Sequence, residues 1–143
     1  MPLTVKPVDP IFIQQVWPSV SGYLASALTD GCPYPDWSHD YTIDHVQGFL
    51  VSGLWTLLVA VDENDEIHGA GTIAFANTPI HRLAVVTTTG GKFMTGTDVV
   101  DQVRDFVKAN GATKLQAYAR PSMVRLLQRS GYEPRNTLVE MRV

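Results

Sequence analysis

The sequence predicts a mixed α/β fold in which helices pack on a mixed sheet, an α+β layer arrangement. Three patterns carry that reading. Trp55 to Val61 and Ile67 to Phe75 are apolar runs separated by a polar turn, a hairpin. Leu83 to Thr88 feeds a glycine-bearing stretch, then a helical pattern from Thr97, then a second apolar run, Lys114 to Ala119. Two apolar runs joined by a helix predict parallel neighbours in one sheet.

Each element follows from its own residues. Leu3 to Val8 alternates and reads as a first strand, with Pro7 placing it at an edge or at its end. Asp9 then Pro10 is a cap followed by a first-turn proline. Ile11, Ile13, Val16, Val20, Tyr23, Leu24 and Leu28 then recur at helical spacing, with Pro18 expected to kink or split the run. Asp30 to Trp37, with its two prolines and a glycine, is a loop; Tyr34 and Trp37 make it a stiff aromatic rim. A second helix opens near Thr42 on a stripe of Ile43, Val46, Phe49 and Leu50, and Gly53 ends it.

After the hairpin, Asn77-Thr78-Pro79 turns into the strand from Arg82 to Thr88. Thr95-x-x-Asp98 reads as a capping box with Asp in the Glu place. Val99, Val100, Val103, Phe106 and Val107 form the stripe behind it, and Gly111 closes that helix. Arg120 to Ser130 is a last helix, capped by Gly131, and a final strand runs from Thr137 to Val143. The predicted order over 1–143 is β-α-α-β-β-β-α-β-α-β, one domain.

Composition narrows the function classes. A chain of 143 residues can bury about two-thirds of its unfolded surface. Apolar content of 45% and charged content of 17% fit an ordinary soluble globule. A net charge of −3 leaves no basic footprint for nucleic acid. Cys32 is the sole cysteine, so an internal disulfide framework and a multi-cysteine zinc site are excluded. No apolar run is long enough for a membrane span, and the first residues lack signal-peptide regions, so a cytoplasmic location is expected.

The strand, glycine-bearing loop and helix start at 83–97 form an anion site in outline. The first amides of a helix lack internal partners, and the macrodipole adds positive charge there. Together with the Gly131-Tyr132 ending of the last helix, this order resembles the GCN5-related N-acetyltransferase (GNAT) family over essentially the whole chain. The resemblance implies an acyl-CoA N-acyltransferase fold with acetyl-CoA as co-substrate and a small-molecule or peptide amine as acceptor. It implies that the fourth and fifth strands splay to admit pantetheine along Val86, Thr87 and Thr88. The coenzyme's pyrophosphate would then lie on Gly91, Lys92, Gly96 and Thr97. With Gly96 in the last place of the family's loop pattern, Met94 and Gly91 fill its glycine and basic places. In the last helix Leu126 and Gly131 match the family pattern, and Leu127 stands where many members carry a tyrosine that protonates the leaving thiolate.

Acid and base candidates are few. The fourth strand has no carboxylate where many members carry a glutamate base. His81 at its start and His68 on the preceding strand have imidazoles suited to proton transfer, although strand histidines are more often structural. Tyr118, ending the fifth strand, is the candidate proton donor to the thiolate. Ser38 to His45 holds His and Asp at close spacing, but a capped helix start explains it better than metal, and no metal is expected. Cys32 has no basic neighbour to activate it as a nucleophile. The rival reading is a catalytically silent GNAT-like domain acting as a binding or structural protein, such as a phage virion component. The final strand also suits pairing across a homodimer.

Overall fold

The computed structural model describes residues 2–29, 41–93, 96–119, 121–141 and 143. The elements run β1 (Thr4–Val8), a short 3-10 turn (Pro10–Phe12), α1 (Ile13–Thr29), α2 (Ile43–Val51), β2 (Trp55–Val61) and β3 (Ile67–Asn77). They continue with β4 (Arg82–Gly91), α3 (Thr97–Ala109), β5 (Lys114–Ala117) and α4 (Pro121–Arg129). The five strands form one sheet in the order β1-β2-β3-β4-β5. All neighbours are antiparallel except β4 and β5, which are parallel as the helical crossover predicts. Among the described residues no helix is long and apolar enough to cross a membrane.

Local chemistry sets most of the boundaries. Asp9 caps the 3-10 turn, its carboxylate accepting from Ile11 N at 3.1 Å, with Pro10 in the first position. Pro18 neither splits nor ends α1, which is a single element of 17 residues. Ile13, Val20 and Leu24 are fully enclosed against Leu57, Val59 and Ala70, and this packing outweighs the hydrogen bond that Pro18 cannot make. Thr42 caps α2 reciprocally with His45: Thr42 Oγ1 accepts from His45 N, and Thr42 N donates to His45 Nδ1 at 3.0 Å. Gly111 and Gly131, at φ +85° and +99°, each end a helix in the left-handed conformation, with amide bonds back to Lys108 and Gln128.

Two apolar layers flank the sheet. One joins α1 and α2 to Leu57, Val59, Val61 and Ala70. The other joins Val99, Val100, Val103 and Val107 of α3 and Leu127 of α4 to Leu58, Ala60, Ile73, Ala84 and Val86. The β1 edge is covered: Gln102 of α3 accepts from Val5 N and donates to Leu3 O, both at 2.9 Å, standing in for a missing strand.

Several expectations change. Gly90 and Gly91 belong to β4, paired with Ala70 and Gly69, and not to the following loop. The reason is packing. A Cβ on Gly90 would lie 2.0 Å from the Tyr23 carbonyl oxygen of α1, and one on Gly69 would lie 2.8 Å from the Lys92 backbone. Phe93, fully buried, covers Gly71 and pins the chain leaving β4 to the sheet. Gly96, not Thr95, is the N-cap of α3 and makes no side-chain hydrogen bond; Thr95 itself lies outside the described residues, as does the predicted rim from Cys32 to Trp37. Tyr118 and Ala119 fall beyond the end of β5. The predicted last strand at 137–143 is not formed among its described residues, since a strand needs a ladder partner and none lies beside it. Gly90→Ala is expected to destabilise the fold by about 1–3 kcal/mol, the range for overpacking, read from the denaturant midpoint. An unchanged midpoint would contradict the α1–β4 contact.

Candidate functional site

The site is built by a β-bulge in β4. Across the β3–β4 ladder Ile73 pairs with Val86 and Thr72 with Thr88, so Thr87 is the extra residue. A bulge bends its strand and increases the local twist. The parallel ladder to β5 ends at the same level, with Val86 opposite Ala117 as the last pair. From Thr87 to Gly91, β4 has no β5 partner among the described residues, because β5 ends at Ala117.

The bulge is held by specific bonds. Thr87 Oγ1 donates to Thr72 O at 3.1 Å, which leaves the Thr72 hydroxyl to donate to Thr87 Oγ1 at 2.7 Å. The Thr87 carbonyl accepts from Tyr41 OH at 2.8 Å. The Thr88 hydroxyl, by contrast, is buried without a hydrogen-bond partner among the described residues. Thr72 and Tyr41 were not anticipated. The run Thr87-Thr88-Thr89 was the available signal, because consecutive threonines inside a buried strand need hydroxyl partners.

At the far end of β4 the ladder is closed tightly. Thr113 N donates to Arg82 O at 2.9 Å, Arg82 N donates to Thr113 Oγ1, and Arg82 Nε donates to Asn110 O at 3.0 Å. His81 belongs to this closed end, its Nδ1 lying 2.9 Å from Thr113 Oγ1. At about 3.3 Å per residue, six residues put it about 20 Å from the bulge. His81 is therefore not brought to the opening. Tyr118 is: it follows the last paired residue of β5 and is 80% exposed at the mouth.

Below the opening, the chain passes Lys92 and Phe93 and enters α3 at Gly96. With no side chain capping it, the first turn of α3 keeps its free amides for an anion. A Cβ on Gly96 would meet only the Asp98 carboxylate, at 2.6 Å. Among the described residues Asp98 is the side chain that a Cβ at the cap would meet, and a bound anion requires it to turn aside. Lys92, exposed on the same stretch, supplies positive charge. Gly91, at φ +65°, is needed because its neighbours are His68 O and the Tyr23 ring. Parallel strands opening at their carboxyl ends beside a helix N-terminus are the usual ligand crevice of α/β sheets.

His68 is paired elsewhere. Its Nε2 lies 2.8 Å from Asp62 Oδ2, and Asp62 Oδ1 accepts from Asn64 N and Glu66 N. Asp62, Glu66 and His68 could bring three ligand atoms within 4.8 Å of one another. Both Asp62 oxygens are already committed, and the group reads as a locked β2–β3 turn. His68 is the second residue of β3, four residues or about 13 Å from Thr72 of the bulge. Asp44 and His45 serve the start of α2, while His39 and Asp40 lie outside the described residues.

No protein-family profile matches the sequence, and no curated protein does. Solved structures do match in shape. The fold is that of the GNAT acetyltransferases. A tetramutant of the BH1408 protein from Bacillus halodurans superposes with a TM-score of 0.73 at 13% identity, covering 98% of this chain and 99% of that one. An aminoglycoside acetyltransferase from an uncultured soil metagenomic sample, in complex with trehalose, gives 0.68 at 13% identity, covering 99% and 95%. A GNAT family acetyltransferase from Staphylococcus aureus gives 0.60 at 12% identity, covering all of both chains. At such identities the likeness is one of fold.

Two outcomes follow from this geometry. Thr87→Val strands the buried Thr72 hydroxyl and should cost about 1–3 kcal/mol, whereas Thr88→Val removes a buried hydroxyl with no partner among the described residues and should cost little or stabilise. Equal losses in chemical denaturation would contradict the bulge assignment. The hydrogen bond from His68, helped by the Glu66 and Asn64 amides and opposed by burial, holds Asp62 below its ordinary value of 3.8. A depressed carboxylate contributes stability above its unfolded value and loses it as pH falls through the folded one. Wild type should therefore weaken as pH drops below about 4, and Asp62→Asn should weaken less over that window. Parallel acid limbs for the two proteins would contradict it.

Proposed function

We propose that the chain is an N-acyltransferase that moves an acetyl group from acetyl-CoA to a small-molecule or peptide amine in the cytoplasm. The observation that carries this reading is the coincidence of the Thr87 bulge, the end of the β4–β5 ladder and the uncapped α3 N-terminus at one end of the sheet. Acetyl-CoA supplies a thioester carbonyl; the amine nitrogen bonds to it, the C–S bond breaks, and the amine loses one proton as the thiolate gains one.

The chain's own residues bind and orient. Val86, the last residue paired with β5, borders the opening, and Thr87 and Thr88 beyond it present β4 backbone where strand-like bonds would replace the missing β5 ladder. The amides at the start of α3, from Thr97 onward, face the pyrophosphate across Gly96, and the Lys92 ammonium adds attraction. Positioning the amine against the thioester and polarising its carbonyl with backbone donors supplies much of the rate. No carboxylate base is needed when the amine arrives deprotonated. Tyr118 stands at the mouth as proton donor to the thiolate.

One observation favours a second reading, a silent binding or structural domain. Leu127, in the place of the family's usual tyrosine acid, is 6% exposed within the core and has no proton to give. Thermal denaturation with acetyl-CoA separates the two. A hundredfold excess over Kd should stabilise the acyltransferase by about 2.7 kcal/mol. Gly96→Glu should abolish that shift with little change in the unliganded Tm, because φ −129° suits any residue and the described side chain that a Cβ would meet is the Asp98 carboxylate, which can rotate away. Absence of a shift in wild type at millimolar acetyl-CoA would favour the silent domain. Tyr118→Phe should lower kcat about 10²-fold with acetyl-CoA affinity unchanged. Unaltered turnover would leave solvent as the proton source.

A further inference from the structure

The sheet face beneath α1 and α2 is not covered along its whole length. Those helices enclose Leu57, Val59, Val61 and Ala70. Toward the Arg82 end of the sheet comes a further row, Trp55, Ala74, Val85 and Gln116, paired in that order across β2, β3, β4 and β5. Paired residues share a face, and Trp55 fixes which one by packing on the α1 and α2 core. Trp55, Ala74 and Val85 are only half-buried, and Gln116 is exposed. Neither Ala74 nor Val85 joins either apolar core of the described residues.

Ala74 is the small member of that row. It leaves a dip between Trp55 and Val85, whose strands lie two spacings, about 10 Å, apart. One wall of the dip is aromatic: the Trp55 ring meets Tyr41 edge-on at 5.0 Å and Phe49 at 4.7 Å. Tyr41 ties this wall to the bulge, since its hydroxyl donates to Thr87 O. Along β4 and β5 the row lies one residue before Val86 and Ala117, the last pair of their ladder. Among the described residues no carboxylate stands on this row or on the one after it, Ala76, Leu83 and Lys114. Lys114 places a positive charge at the corner of the dip. A flat apolar group suits such a surface, and a polycation is repelled from it.

We infer that the acceptor is a primary amine carrying an aromatic ring, with the ring seated over Ala74 against Trp55 and the amine directed toward the Thr87 bulge. Trp55 supplies the ring contact, and the small side chain of Ala74 supplies the room for it. The inference deepens the acyl-transfer reading and rests on it for the position of the thioester, at the end of the β4–β5 ladder.

Calorimetric titration of the full chain with phenethylamine, tryptamine, spermidine and kanamycin tests it, followed by release of CoA from acetyl-CoA with the same four amines. Each aromatic amine should bind at least about tenfold more tightly than spermidine or kanamycin. Ala74→Leu fills the dip and should weaken the aromatic amines about tenfold, the worth of one good ring contact, while the thermal shift with acetyl-CoA persists. Trp55→Leu, read the same way, decides the matter if Ala74→Leu disturbs the fold. Aromatic amines that fail to bind, a preference for spermidine or kanamycin, or an affinity indifferent to both substitutions would overturn the inference. Aromatic binding without CoA release would support the ring's seat and sink the acyl-transfer reading. Release with spermidine and none with phenethylamine or tryptamine would uphold acyl transfer and overturn the aromatic acceptor.

Discussion

The interaction on which the site depends is the hydroxyl pairing of Thr87 with Thr72. One extra residue in β4 needs somewhere to place its side chain and its carbonyl. Thr72 takes the first at 2.7 Å and Tyr41 takes the second at 2.8 Å. With both accommodated, the bulge is a fixed feature and not a slipped register. Arg82 and Thr113 clamp β4 to β5 at the other end, so the bend falls where the ladder stops, between Val86 and Thr87. A sheet locked at one end and bulged at the other leaves the last part of β4 without a β5 partner, with no moving part needed.

The glycines around this crevice are there for packing. Gly69, Gly71, Gly90 and Gly91 lie where α1, Phe93 and the chain leaving β4 approach the sheet too closely for a Cβ. They bring α1 down onto β4 on one face and seat Phe93 on β3, which sets where α3 begins. Gly96 differs from the other four: among the described residues a Cβ there would meet a flexible side chain, that of Asp98, and no backbone. The closed glycines shape the scaffold, and Gly96 starts α3 beside the proposed anion site.

Much of this was legible in the sequence. The hairpin, the helical crossover and the Asp9, Gly53, Gly111 and Gly131 boundaries are local signals, and each falls within a residue or two of its expected place. The parallel β4–β5 pair followed from connectivity alone. What could not be read depends on contacts distant in sequence. Gly90 and Gly91 look like loop glycines until Tyr23, nearly seventy residues earlier, is placed against them. His81 looked catalytic because a strand histidine carries no address; Thr113, reached only across the crossover, shows which end it occupies. Thr72 and Tyr41 were invisible because nothing in a sequence announces which strand will bulge. Pro18 is tolerated because the inner face of α1 is buried, a property of the assembled core.

Amide shifts on titration with acetyl-CoA, followed by two-dimensional NMR of the assigned protein, test the central claim most directly. Perturbations are expected to concentrate in two stretches, 87–91 on the free edge of β4 and 96–99 at the start of α3, with the closed end around Arg82 and Thr113 unmoved. Shifts centred on that closed end, or no shifts at saturating acetyl-CoA, would contradict the account.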